Sequence, residues 1–241
     1  FIVGIFLFFT GFVQLRKKRL IESTPTSKIR SLAMGFVEIY GAVIPAKKKI
    51  LKSPFSQTDC VYYRYTIEEY RKGKRSRYWV TVRSGEDKNH FFVRDATGTV
   101  LVDPSGAQVE IPIDHEFGSS FGKDPPTEIL NFLKDQKISF EGLFGGNKTM
   151  RYREYLITSG DKLFVMGAAG DNPFIEEGRA VLGTEDVMIQ KGAHSPYFIS
   201  NSDEKDILSR LKILSRGGIF GGGGLIVISL TVIFKYLGFI S

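Results

Sequence analysis

The chain has 241 residues, which is room for one or two domains, and 42% of them are hydrophobic, as in an ordinary globular protein. Its formal net charge of +7 suits an anionic partner, either a phospholipid surface or nucleic acid. A single cysteine excludes an internal disulfide and any zinc site built on several thiolates, and only three histidines are present. We therefore expect neither a metal nor a cofactor.

The N-terminal segment FIVGIFLFFTGFV is free of charge and is followed by four basic residues at 16–19. Its thirteen residues are too few to cross a bilayer, for which about 20 are needed. Because the chain starts with Phe1 and not Met, we interpret residues 1–14 as the end of a longer first transmembrane helix. A signal peptide is the alternative, but its basic residues would precede the apolar run.

The long middle segment, residues 15–202, is predicted to be a β-rich domain. Segments with alternating apolar residues or with many aromatic and β-branched residues lie at 35–46, 60–70, 78–84, 90–95, 99–103, 107–112, 150–157, 162–169, 187–190 and 196–200. Short strands at this spacing, separated by ATG, PSG and TSGD turns, predict an antiparallel barrel or sandwich, so the fold class is mainly β.

Two short helices accompany the predicted strands. Asp124 is placed to cap a helix whose first turn contains Pro125 and whose apolar residues lie on one face. A second, amphipathic helix at 203–216 has acidic residues in its first turn and basic residues late, an order that complements the helix dipole. We expect this second helix to run directly into the apolar C-terminal segment.

The segment SRGGIFGGGGLIVISLTVIFK has six glycines in eight positions. A phosphate-binding loop would follow its glycines with Lys and Ser or Thr, whereas these run into an apolar stretch. Eighteen uncharged residues from 217 to 234 predict a helix about 27 Å long, so we interpret 217–237 as a second transmembrane helix.

The glycines of this helix are spaced for helix packing. Gly217 and Gly221 are four residues apart, as are Gly218 and Gly222, and this spacing leaves a flat face that a second helix can approach closely. The partner is either this chain's own first helix or another copy. The alternative is a loose, kinked entry into the membrane without a partner.

Basic residues flank both predicted spans on the side of the central domain. The positive-inside rule then predicts that this domain lies in the cytoplasm and that both termini lie outside. The basic residues that we expect to contact lipid headgroups are Arg16, Lys17, Lys18, Arg19, Arg210, Lys212 and Arg216.

Two segments contain residue types that could be catalytic, but the pattern around each favours a structural role. Asp114, His115 and Glu116 are neighbours in sequence, so their side chains point in different directions, and their Gly- and Pro-containing surroundings favour a solvated loop. Cys60 begins a predicted strand, where a buried structural thiol is the more common role. We predict no catalytic residue.

The segment RYTIEEYRKGKRSRYW alternates aromatic and basic residues, as single-strand nucleic-acid binders often do. A hairpin with a solvated tip explains the pattern equally well, and Glu68 and Glu69 interrupt the positive charge. Attraction to anionic headgroups is a simpler use for this charge in a membrane-tethered chain, so we do not expect a nucleic-acid partner.

Four segments together resemble the GIDE domain of mitochondrial and chloroplast-envelope membrane E3 ubiquitin ligases, which also occurs in shorter bacterial and archaeal membrane proteins. They are SPFSQTDCVYYRYTIEE (53–69), VRDATGTVLVDPSGA (93–107), REYLITSGDKLFVMGAA (153–169) and PYFISNSDEKDILSRLK (196–212). The resemblance covers roughly residues 25–235, including the order of span, domain and span.

The resemblance implies a binding function for the GIDE-like domain, but it does not imply ubiquitin-ligase activity. The eukaryotic ligases end in a RING finger that holds zinc through Cys and His ligands, and one cysteine cannot supply that site. We therefore expect a non-enzymatic, two-span membrane protein whose GIDE-like domain is a binding or assembly module beside the bilayer. Its expected partner is either a second copy of itself, bound through the glycine face, or another membrane protein. The alternatives are an accessory subunit of a ubiquitin-like ligase acting in trans, or a membrane hydrolase using Cys60 or His115. The organelle ligases place this domain in an intermembrane space, whereas the charge bias here favours the cytoplasm.

Overall fold

The computed structural model describes residues 1–46, 50–140, 147–174, 186–193, 195–201 and 204–237, with only the backbone of Lys17, Leu20 and 204–207. The chain divides into two compact units. One, the helical unit, consists of Phe1–Thr26 and Ser202–Ser241, and the other, the β unit, of Ser27–Asn201.

The elements follow the predicted order of helix, strands and helix. The helices are α1 (Ile2–Ser23), α2 (Thr127–Asp135), α3 (Glu204–Arg216) and α4 (Gly222–Tyr236), with a 3-10 helix at Ile29–Ser31 and a π-helix at Gly217–Gly221. The strands are β1 (Gly35–Pro45), β2 (Leu51–Lys52), β3 (Asp59–Cys60), β4 (Tyr62–Lys72), β5 (Arg77–Lys88), β6 (Phe91–Arg94), β7 (Thr99–Val102), β8 (Gln108–Glu110), β9 (His115–Ser119), β10 (Met150–Ile157), β11 (Lys162–Asp171), β12 (Val187–Gln190) and β13 (Phe198–Ser200).

The larger sheet of the β unit closes on itself. Its strand order is β1-β6-β7-β12-β11-β13-β8, and β1 also pairs with β11, so that β1, β6, β7, β12 and β11 form a ring. Inward-facing side chains of these strands, including Ile39, Phe91 and Val165, are fully buried and form the core of the ring. Closure leaves these strands no free edge at the ring, which is the usual solution for a small β-barrel.

A second sheet has the order β5-β4-β10-β9, and α2 covers one of its faces. Ile129 and Leu133 of α2 are fully buried in an apolar cluster with residues of β4 and β10. The register of β4 against β5 shifts between Ile67 and Glu68, which marks a β-bulge. A third, two-stranded sheet joins β2 to β3.

The β-rich barrel-like fold predicted from the sequence is confirmed, and three of its details differ. The β7–β12 and β8–β13 pairs are parallel because connections longer than a hairpin bring these strands together. Residues 115–116 begin strand β9, so they do not form the predicted loop. The first residue before α2 is Pro126, and no side chain caps the helix; Asp124 instead accepts a hydrogen bond from Asn147.

In the helical unit, one helix among the described residues is long and apolar enough to cross a bilayer, the continuous helix Leu208–Tyr236. It joins the end of α3, the π-helix and α4 without a break. The predicted amphipathic helix is found as α3, although Asp203 lies outside the described residues. α1 does not meet the same criterion, because basic residues at 16–19 interrupt its apolar stretch, so the structure supports one of the two predicted spans.

Candidate functional site

Two of the segments that carry the family resemblance meet around a buried carboxylate. Glu154, on β10, is completely buried and accepts hydrogen bonds from the backbone amides of Phe55 (2.5 Å) and Ser56 (3.0 Å). Hydroxyl contacts that link Ser53, Ser56 and Thr58 complete the loop between β2 and β3. The carboxylate thus holds a loop that is distant in sequence against the second sheet.

The loop held by Glu154 delivers an aromatic side chain to the second core. The Phe55 ring is 2% exposed and packs edge-to-face against Tyr65, Phe132 and Tyr152, with ring centroids 5.4 to 5.9 Å apart. Edge-to-face pairs of this kind add stability beyond the area that they bury. Glu154 and Phe55 therefore act together as a structural anchor.

A second, half-buried carboxyl performs the same task for the barrel. Asp95 accepts hydrogen bonds from the backbone amides of Ile29, Thr97 and Gly98, and so ties the 3-10 helix to the β6–β7 turn. Burial opposes the charged form of Asp95, but the hydrogen bonds, led by that from Ile29, outweigh it and lower the pKa of this carboxyl.

The remaining quoted segments are also structural. The TSGD turn closes through Asp161, which accepts hydrogen bonds from the amide and hydroxyl of Thr158, and Gly160 supplies the positive φ of 91° that the turn requires. The Tyr197 hydroxyl donates to the carbonyl of Asp103 at 2.5 Å, and burial raises the pKa of Tyr197. These contacts position strands and are not a reactive site.

Cys60 has the properties of a structural thiol. Its side chain is 2% exposed, and Sγ lies 3.7 Å from the carbonyl of Leu51. Burial, followed by the nearby charge of Glu154, raises the pKa of the thiol to about 12. The thiolate is the reactive form, so this environment opposes nucleophilic chemistry at neutral pH.

Residues 114–116 have three separate surroundings. Asp114 accepts a hydrogen bond from the amide of Leu156 at 2.7 Å, and burial raises its pKa. The His115 ring stacks on Phe117, while Glu116 pairs with Arg153 at 2.6 Å. The three side chains do not converge on a common point.

In the part of the chain that the structure describes, no group of three or more His, Cys, Asp or Glu residues could hold a metal ion.

Two of the four glycines predicted to pack helices lie against α1. A Cβ atom built on Gly218 would lie 2.7 Å from the Cα of Gly11, and one built on Gly222 would lie 2.5 Å from the amide nitrogen of Phe8. Contacts this short leave no room for any side chain, so the two helix backbones touch. Gly4 lies beside Gly222 and Gly11 beside Gly218, which makes α1 antiparallel to the C-terminal helix.

The other two predicted glycines face away from α1. A Cβ atom on Gly217 or Gly221 would meet no described atom within 4 Å, and the same holds for Gly224 one turn further on. The C-terminal helix therefore has two glycine faces. We call Gly218 and Gly222 the occupied glycine face, and Gly217, Gly221 and Gly224 the open glycine face.

The predicted headgroup residues all belong to the helical unit. Arg16, Lys18 and Arg19 lie on α1, where Lys18 pairs with Glu22 at 2.6 Å. Arg210, Lys212 and Arg216 are exposed on α3. Lys17 belongs to the same turn of α1, but its side chain lies outside the described residues.

Sequence reasoning missed the side chains and glycines that hold these segments together. Glu154 interrupts a row of buried residues on β10, namely Met150, Tyr152 and Leu156, and a carboxylate at such a position signals a buried partner. Gly4 and Gly11 of α1 carry the same small-residue signal as the C-terminal glycines, at a spacing of seven. No local signal identified Asp95 as a long-range tether.

The family model GIDE, described as an E3 ubiquitin ligase, matches residues 62–234, well over half of the chain. No curated protein and no solved structure matches the chain. The matched range includes the second sheet, most of the barrel and almost all of the apolar C-terminal helix. The candidate span and the family together support membrane association. The chain belongs to the GIDE family, and the resemblance found in its sequence is confirmed.

Proposed function

We propose that the protein is a non-enzymatic membrane protein that presents its β unit as a protein-binding module and assembles with further copies of itself through the open glycine face. The observation that carries this proposal is the presence of two glycine faces on one apolar helix, of which α1 occupies only one. Small residues at helical spacing allow close approach of a second helix in lipid, and here that approach is available to another chain.

The same contacts support a second span formed by α1. Because Gly4 and Gly11 touch the backbone of the apolar helix, α1 lies at the same depth in the bilayer as the segment that it contacts. Its large exposed apolar side chains between residues 2 and 13 are Ile2, Val3, Phe6, Leu7, Phe9, Phe12 and Val13. The hydroxyls of Thr10 and Thr231 donate to carbonyls of their own helices, as polar groups in lipid must.

The orientation follows from charge. Basic residues of α1 and α3 flank the two apolar segments on the side from which the β unit continues, so the positive-inside rule favours a cytoplasmic β unit and external termini. At this position Arg16, Arg19, Arg210, Lys212 and Arg216, with Lys17 and Lys18, contact lipid phosphates.

The chemistry of the candidate nucleophile disfavours the hydrolase alternative. Cys60 is buried with a pKa of about 12, and His115 stacks on Phe117 while its neighbours are engaged elsewhere. Changing Cys60 or His115 to Ala is expected to leave partner binding intact.

Native mass spectrometry of the full chain, extracted in mild detergent, tests the proposal. We expect a homo-oligomer for the unchanged protein and a monomer for the variant Gly217→Leu with Gly221→Leu, because leucine side chains would separate the open faces. The matched variant, Gly218→Leu with Gly222→Leu, changes the same residue types on the occupied face. It is expected to disturb α1 packing within one chain and to keep the open face.

Two results would contradict self-assembly. The unchanged chain would be monomeric at every protein concentration tested, or the open-face variant would keep its full oligomeric mass. A monomer that carries a distinct second protein would make the chain an adaptor, and the second protein would then define its function.

The family match favours a second candidate, an accessory subunit of a ubiquitin-like ligase that acts in trans. This role requires the chain to co-purify with a ubiquitin-conjugating enzyme or a RING protein from its own cells. Recovery of neither, in a purification that retains other membrane partners, would exclude it.

A further inference from the structure

The end of the β4–β5 hairpin extends beyond the second sheet. β10 starts at Met150, opposite Glu69, and the Tyr70 amide donates to the carbonyl of Thr149. From Arg71 onwards, β4 and β5 pair only with each other in the described structure. The chain reverses through a hydrogen bond from the amide of Gly73 to the carbonyl of Ser76. Side chains on both faces of this segment are exposed. We call residues 70–79 the hairpin tip.

The hairpin tip exposes three aromatic rings in ten residues. Tyr70, Tyr78 and Trp79 have 37%, 50% and 36% of their surface exposed. Tyr70 and Trp79 pair across the strands with ring centroids 4.9 Å apart, while Tyr78 lies on the opposite face beside Gly73. The tip therefore offers exposed ring surface on both of its faces.

The hairpin tip also has uncompensated positive charge. The nearby acids Glu68 and Glu69 are engaged, Glu68 with Arg151 at 2.7 Å and Glu69 with Arg71 at 2.8 Å. Beyond them, four cations form no ion pair with any residue that the structure describes. These tip cations are Lys72, Lys74, Arg75 and Arg77.

We propose that the hairpin tip is a separate membrane contact that docks on an anionic phospholipid surface. Tryptophan and tyrosine partition to the headgroup level of a bilayer, and lysine and arginine beside them pair with lipid phosphates. The exposed rings and the four tip cations meet both requirements on one short segment. This site is distinct from the basic residues of α1 and α3.

The geometry of Trp79 favours lipid over single-stranded nucleic acid. Base stacking needs a free ring face, but the Arg151 guanidinium lies 4.2 Å above the Trp79 ring and Tyr70 stands beside it. A bilayer interface requires only the ring edge and the surrounding cations. The chain also has its own candidate membrane helix, so the tip is covalently tethered to a membrane segment, and tethering raises its effective concentration at a bilayer.

Trp79 is the only tryptophan in the chain, so its fluorescence reports on the hairpin tip alone. The full-length protein is reconstituted into vesicles that contain a brominated lipid quencher, either in phosphatidylcholine alone or with about 30% phosphatidylserine. We expect quenching of Trp79 only in the anionic vesicles. Raising the salt from about 0.1 M to about 0.5 M is expected to reverse it.

A pair of charge-matched variants separates the tip from total charge. In the first variant, the four tip cations are changed to Gln. Each change is expected to lower the affinity for the anionic surface about fivefold. Quenching of Trp79 should then fall to the level seen in phosphatidylcholine alone. In the control, four exposed lysines elsewhere in the β unit are changed to Gln, and quenching is expected to persist. These are Lys123, Lys134, Lys137 and Lys162.

Three outcomes would overturn the proposal. They are quenching that is equal in both kinds of vesicle, quenching that survives in the tip variant, and quenching that both variants lose equally. Displacement of the tip from anionic vesicles by single-stranded RNA at equal charge concentration would identify nucleic acid as the occupant instead. None of these outcomes depends on the oligomeric state, so they leave the proposed self-assembly untouched.

Discussion

The helical unit and the β unit are each stabilised internally, but by opposite kinds of contact. In the helical unit, α1 and the C-terminal helix meet where side chains are absent, at Gly11 against Gly218 and Gly4 against Gly222. In the β unit, long-range order depends on side chains that reach across the fold, above all Glu154 and Asp95. We therefore expect the helical unit to lose stability when side-chain atoms are added at these glycines. The β unit should lose stability when side-chain atoms are removed at these carboxylates.

The largest effect is expected from removing the carboxylate of Glu154. Glu154→Ala leaves the amides of Phe55 and Ser56 without an acceptor, and should lower the free energy of unfolding by about 4 kcal/mol. Glu154→Gln keeps one acceptor oxygen and should cost about half as much. Denaturant unfolding of the full chain in detergent, followed by Trp79 fluorescence, measures both. Equal stability of Glu154→Ala and the unchanged protein would refute the anchoring role.

The second-largest loss of stability is expected from adding a side chain to the occupied glycine face. Gly222→Leu forces a side chain into the backbone of Phe8 and Gly4, at a cost of about 3 kcal/mol in the helical unit. Gly224→Leu adds the same atoms on the open face, where no described atom lies within 4 Å. Thermal unfolding followed by helical circular dichroism should separate the two variants, and identical melting temperatures would contradict the α1 contact.

Alkaline pH should weaken the β unit through Cys60. The unfolded thiol loses its proton near its ordinary pKa of 9.0, whereas the folded thiol keeps it up to about 12. The unfolded state therefore binds fewer protons in this window, and stability falls as pH rises above about 9, by at most about 1.4 kcal/mol per pH unit. Cys60→Ala should reduce this slope between pH 9 and 10. A slope that is unchanged in the variant would place the titrating group elsewhere.

The smallest effect is expected at the surface of the second sheet. Glu116 pairs with Arg153 at 2.6 Å, but the Glu116 side chain is 49% exposed. Exposed ion pairs contribute little after solvent screening, so Glu116→Gln should change stability by less than about 1 kcal/mol. Denaturant unfolding of this variant beside Glu154→Gln compares the loss of one negative charge at an exposed and a buried position. If Glu116→Gln lost as much unfolding free energy as Glu154→Gln, burial would not determine how much each carboxylate contributes to stability.

The sequence predicts the strands of the β unit well where alternation is strong. Residues 35–46 and 150–157 were predicted within a residue or two of β1 and β10, because apolar residues recur at every second position in much of each segment. Strand β9 was missed because His115, Glu116 and Gly118 hide its pattern. Closure of the barrel and its parallel pairs depend on contacts between distant segments, which no local pattern encodes.

The glycine faces and the Glu154 anchor were likewise predictable from the sequence only in part. The glycine spacing predicted a packing helix, yet it could not tell which pair of glycines would face α1 and which would stay open. Glu154 was visible only as one letter in a strand, and its partners lie almost a hundred residues away. The prediction of two spans rested on an apolar run that four basic residues end, and one candidate span is what the structure supports.

The most direct test of assembly through the open glycine face is disulfide cross-linking in native membranes. In a Cys60→Ala background, Gly221→Cys places a thiol on the open face, and Val227→Cys places one on another exposed side of the same helix. We expect a covalent dimer under mild oxidation for Gly221→Cys and none for Val227→Cys. Equal cross-linking of both, or of neither, would contradict it.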